Sequence, residues 1–157
     1  MEPLLIPTEY TRYAHLTSLF ILRASIYMFL YREFEVCILL FLTYIATNLH
    51  WHNLRPRSLV KNIDMMIVSI TLLYSIYAAN FYDCNIRFYI CSSISVGGFC
   101  INEYWNWQTL YKPDFHLCSQ REKRIVYTRT CAVHMFCLHL FQMENAVTVV
   151  SLCSKVT

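Results

Sequence analysis

The stretch VCILLFLTYIATNLHWHNLRPRSLVKNIDMMIVSITLLYSIYAANFY, residues 36–82, decides the fold. It is two apolar runs, 36–54 and 63–82, joined by a short basic link. Each run has the length, roughly 20 residues, that a helix needs to cross the hydrocarbon core of a bilayer. Neither alternates in polarity, and each is about twice the length of a barrel strand of ~10 residues. A short link between two such helices makes them antiparallel neighbours.

Working outward, three further segments read the same way: 15–31, 86–107 and 130–152. The sequence therefore predicts an all-α, polytopic transmembrane helical bundle of about five spans. Residues 1–157 form a single transmembrane domain, and 108–129 are a basic amphipathic stretch at the cytoplasmic surface. Composition agrees. Hydrophobic residues make up 57% and charged residues only 15%, whereas soluble domains sit near roughly 45–50% and 25%. Pro3, Pro7, Pro56 and Pro113 all fall outside the runs, where a missing backbone donor costs little. Glu2 and Glu9 stand where a cleavable signal would be basic, so the first span is expected to stay in the mature protein.

Lysines and arginines orient the chain. Five alternating spans put Arg12, Arg55, Arg57, Lys61, Lys112, Arg121, Lys123, Arg124 and Arg129 on one side. Arg32, Arg87 and Lys155 fall on the other, with Glu33, Glu35 and Asp83. The basic side is the cytoplasmic one, and it includes the N-terminus. Tyr13, Trp51, Tyr82, Tyr104, Trp105 and Trp107 lie near span ends and form the expected aromatic belt. The net charge of +3 is too small, and its basic residues too divided, for nucleic acid. The partners to expect are membrane lipids and other membrane subunits.

Several positions could carry chemistry. Cys91, Cys100, Cys131 and Cys137 sit inside apolar runs and Cys37 at the edge of one, where cysteine acts as a small hydrophobe. Cys84 and Cys153 fall together on the non-cytoplasmic side, where a bridge is conceivable. Ionisable groups within spans are costly and mark interior sites. His50, His52, Asp64, Glu103 and His134 fall at similar heights in the cytoplasmic half. Histidines with a carboxylate are ligand chemistry for zinc. Residues two apart on a helix are ~200° apart, and residues five apart ~140° apart. So one of His50 and His52, and one of His134 and His139, should point inward. His50 continues the face of Thr43 and Thr47; His52 shares the face of Asn48. The structural alternative has Asp64 capping its helix and the histidines hydrogen-bonding between helices.

The stretch TNLHWHNLRPRSLVKNIDM, residues 47–65, resembles the second-to-third helix junction of the alkaline ceramidase and adiponectin-receptor-like membrane hydrolases. The resemblance implies zinc, lipid-amide cleavage, and roles for Thr47, His50 or His52, Asp64, and His134 or His139. That family has seven helices and a last-helix histidine pair four apart; here there are about five spans and a spacing of five.

Arg23 lies inside the first span and needs a carboxylate; Glu103 and Glu144 are available for an intramembrane ion pair that points into the bundle. Tyr74, Tyr77, Gln142 and Asn145 could line a polar path. The chain's two glycines, Gly97 and Gly98, mark either a close helix crossing or a hinge. Ser18 with Ser25, Thr71 with Ser75 and Ala78, and Ser95 with Asn102 and Asn106 form packing stripes. No G-rich phosphate loop, GxSxG, HExxH or CxxCH is present. The first expectation is therefore a structural or accessory membrane subunit. A zinc-type intramembrane lipid hydrolase is the alternative, and a transporter or channel component a further one. The absence of a repeat weighs against the last.

Overall fold

The computed structural model describes residues 6–52 and 59–156. Arg55, Arg57 and Pro56, on the basic link, lie outside the described residues, as does Pro3. The described residues form five long helices: α1 (Thr8–Leu30), α2 (Phe34–His52), α3 (Leu59–Ala79), α4 (Asn85–Gln108) and α5 (Gln120–Leu152). A short 3-10 turn, Pro113–Leu117, precedes α5. Among the described residues the one extended pairing is an isolated bridge between Tyr82 and Lys155.

Among the described residues, four helices, α1, α2, α3 and α5, are long and apolar enough to cross a membrane. The expected fourth span is present as α4, 24 residues long. It carries Ser92, Ser95, Asn102, Glu103 and Asn106 and is not apolar enough to stand with the other four. It lies against α5 and buries those polar groups there, apart from the half-buried Glu103.

The bundle is far more polar inside and more apolar outside than a soluble protein. Among the described residues that are buried, sixteen are polar or charged against eighteen apolar. Leucines and isoleucines instead cover the outside, with Leu30, Leu73 and Ile86 each at least two-thirds exposed. In water such a surface would be an aggregation hazard; in lipid it is the expected one, because tails and leucine are equally apolar. α1 and α2 form a hairpin closed by Arg32, whose left-handed backbone (φ 63°) lets the Glu33 N–H reach the Met28 carbonyl at 2.8 Å. α3 rests mainly on α2, while α5 packs on both α1 and α4.

Small and polar side chains set the contacts, as the sequence stripes predict. Thr43 and Thr71 share a hydrogen bond at 2.9 Å between α2 and α3. Ser18 meets Asn48 at 3.2 Å between α1 and α2. Ser95 donates to the Cys137 carbonyl across α4 and α5. Gly98 marks a close crossing: a Cβ there would stand 2.8 Å from the Cys137 Sγ. Gly97 faces open space, and α4 runs through both glycines without interruption.

Two assignments to the aromatic belt change. Trp51 is 3% exposed and packs inside, against Ile6, Ala14 and Cys131. Tyr82 is also buried, because its hydroxyl donates to Glu33 at 2.8 Å. The stretch 108–129 is more ordered than a surface loop. Its second half is the first three turns of α5, started by a capping box. Ser119 Oγ accepts from the Glu122 N–H at 3.3 Å, and the Glu122 carboxylate accepts from the Ser119 N–H at 2.8 Å.

Candidate functional site

His50, Asp64, His134 and His139 line adjoining cavities between α2, α3 and α5. Asp64 is buried one turn into α3 and accepts a hydrogen bond from Thr47 at 3.0 Å. His50 is buried one turn beyond Thr47 on the same face of α2. His52 points the other way, is exposed, and lies beside His15, ring centres 6.4 Å apart. The geometry of an intact helix separates these two as the sequence predicts.

His134 and His139 do not follow that rule. Both face the interior, with ring centres 5.1 Å apart. The reason is local: Met135–Phe141 is a π-helical segment within α5. Bonding from i to i+5 widens the turn and stacks residues five apart on one face, where an α-helix would splay them. His139 Nδ1 is hydrogen-bonded to the Thr17 hydroxyl at 3.0 Å, which fixes the ring. The His134 ring is held edge-on by Trp51 (4.9 Å) and Phe99 (5.6 Å).

Two small cavities run through this group. One, about 70 Å³, is lined by Thr43, Thr47, Asp64, His134, His139 and Gln142 among others. The second, about 40 Å³, has His50, Lys61, Asp64, Glu103, Tyr111 and His134 in its wall. Asp64 and His134 border both. Such volumes admit a few water molecules, against roughly 300–1,000 Å³ for sites that enclose a small molecule. Several buried polar atoms here have no protein partner: His50 Nδ1, His139 Nε2 and Gln142 Oε1. Lys61 donates to the Tyr111 hydroxyl at 3.3 Å, and that hydroxyl donates to Glu103 at 3.5 Å. Burial and the Glu103 carboxylate push the Tyr111 phenol up, which keeps it a donor.

The donors do not form a metal centre as they stand. Among the described residues, the one set of three His, Cys, Asp or Glu donors within 4.8 Å of one another is Asp83, Cys84 and Cys153. Cys84 and Cys153 are joined there as a disulfide, Cα atoms 5.9 Å apart, so the bridge conceived from the sequence is present. His50, Asp64, His134 and His139 line one polar tract without reaching mutual ligand distance.

Arg23 pairs with Glu144, on the outer surface of the bundle and not inside it. Glu103 takes other partners: it accepts from Asn106 at 3.1 Å and from Tyr111. Gln142 and Asn145 are buried against Ser92, at 3.0 and 3.4 Å, whereas Tyr77 faces outward. Sequence reading passed over three contributors to the tract. Thr17 anchors His139, Trp51 flanks His134, and the Lys61–Tyr111 pair closes its basic end. Trp51 lies between His50 and His52, and that adjacency was the available signal. Thr17 sits one position from the Ser18 stripe and carried none.

Comparison with known families, curated proteins and solved structures gives no match for this chain. The likeness of residues 47–65 to a hydrolase family thus stands on those residues alone.

Proposed function

We propose that this chain is a multi-pass integral membrane protein that serves as a structural or accessory subunit, with its N-terminus and Arg/Lys-rich connections cytoplasmic. The burial pattern carries the membrane reading: nearly half of the buried described residues are polar, while leucine and isoleucine cover the outside. The orientation rests on the basic asymmetry and on the disulfide at the opposite end, since disulfides persist on the oxidising side of a membrane. The accessory reading rests on the interior. Its polar groups mostly join helix to helix, its cavities are water-sized, and its zinc-type donors stand apart.

The test uses membranes from cells making the full chain. The protein should resist extraction by alkaline carbonate. A protease-cleavable tag inserted beside Asp114 should be cut only from the cytoplasmic face, and one added after Val156 only from the other. Cleavage of both tags from the same face overturns the topology.

A second reading, a zinc-type hydrolase, draws on the unpartnered His50 and His139 nitrogens beside Asp64. It requires side-chain movement that gathers these donors and opens the cavity to lipid. Purified wild-type protein would then carry stoichiometric metal by elemental analysis, and Asp64→Ala would lose it. Metal-free wild-type protein leaves the accessory reading in place.

A further inference from the structure

The Arg23–Glu144 pair is in the wrong place for a protein that faces lipid alone. Arg23 lies seven residues before the end of α1 and Glu144 eight before the end of α5. At 1.5 Å per residue the pair is about 10–12 Å inside the helix ends, well within a hydrocarbon core of about 30 Å. Yet the two side chains keep 44% and 41% of their surface exposed. Around them the outer stripe of α1 is apolar: Leu16, Leu19, Ile26 and Leu30 are all exposed. Tyr27 shields one side of the guanidinium, whose centre is 5.4 Å from its ring.

Charges at this depth normally face a bundle interior or a water-filled cavity. An arginine can snorkel along its stem to the headgroups. A glutamate stem is shorter, and the pairing holds both groups at mid-depth. Pairing neutralises the net charge but leaves both side chains substantially exposed to lipid. The outer face of α1 and α5 that carries the pair therefore asks for polar cover from another helix.

We infer that this face is the interface of a homodimer, in which Arg23 and Glu144 of two copies interlock. The charge pattern selects a second copy. A two-fold axis along the membrane normal is isologous, so each patch meets itself reversed. That operation sets Arg23 of one copy against Glu144 of the other, and Glu144 against Arg23. The four charges alternate, every one has two opposite neighbours, and none faces lipid. The inference rests on the membrane reading above and supplies the accessory subunit with its first partner.

The experiment counts copies of the full-length chain in liposomes at low protein-to-lipid ratio, by single-molecule photobleaching. Wild type should bleach mainly in two steps. Arg23→Glu presents two acids and Glu144→Arg two bases, so each alone should lose self-pairing at least tenfold. Made together with different labels, these two variants should pair with each other. Arg23→Leu combined with Glu144→Leu removes all four charges; it should remain folded by thermal melting and bleach in one step. One-step bleaching of wild type at every ratio overturns the dimer, as does two-step bleaching of the double leucine variant. Wild type that stays monomeric yet recovers one different membrane protein through this face also overturns it. Failure of the membrane reading would appear differently, as protein released by carbonate.

Discussion

The two ends of the bundle are built on opposite principles. At one end α4 and α5 are tied by Cys84–Cys153. Around that bond the Tyr82–Lys155 bridge, Asp83 accepting from the Ser154 N–H at 3.2 Å, and Glu33 paired with Lys155 close a cap. None of the buried unpartnered side-chain atoms among the described residues belongs to this cap. At the other end nothing is covalent. Aromatic rings lean on histidines, and His50 Nδ1, Trp51 Nε1, Asn102 Oδ1 and Arg129 Nε are buried without protein partners. A buried polar group left unsatisfied costs about 1–3 kcal/mol. The difference teaches where stability and polar potential reside: one end holds the helices together, and the other keeps unspent hydrogen-bonding capacity next to water-sized space.

The largest effect should come from cutting the clamp. The bond joins residues 69 apart in sequence. Closing a loop of that length lowers unfolded-state entropy by the equivalent of about 4 kcal/mol. Replacing both cysteines by serine should lower the melting temperature in detergent by far more than any single substitution at the histidine end. Melting unchanged by that double substitution would erase the asymmetry between the two ends.

The asymmetry was only partly legible in the sequence. Long apolar runs announce themselves, so the helices were readable, and the side of Cys84 and Cys153 followed from counting spans. What escaped was local geometry. The Ser119–Glu122 capping box was there to be read, but the surrounding basic residues pointed to a surface loop. The π-helical turn has no sequence signature, so α-helical spacing wrongly divided His134 from His139. Arg23 shows two arguments in conflict. Its cost in lipid placed it inside, whereas its position in the Leu16–Leu19–Ile26–Leu30 stripe placed it outside, and the stripe decided. Trp51 was assigned by its place near a span end, which says nothing about the side it faces.

The smallest expected effect separates the ends most sharply. Asp64 is buried, and its carboxylate accepts a hydrogen bond from the Thr47 hydroxyl, at 3.0 Å to Oδ1. Asparagine has nearly the same shape and retains an Oδ1 that accepts that bond. It also removes a buried charge for which no neighbouring cation lies within ion-pair distance among the described residues. Asp64→Asn should therefore change thermal stability in detergent by less than about 1 kcal/mol, the net worth of an ordinary hydrogen bond. A carboxylate that can be replaced so cheaply is not what holds α2 against α3; Thr43–Thr71 and the packing around it suffice. A loss of several kcal/mol would show instead that Asp64 is as structural as the clamp, and the polar tract would then be part of the scaffold rather than a reserve of chemistry within it.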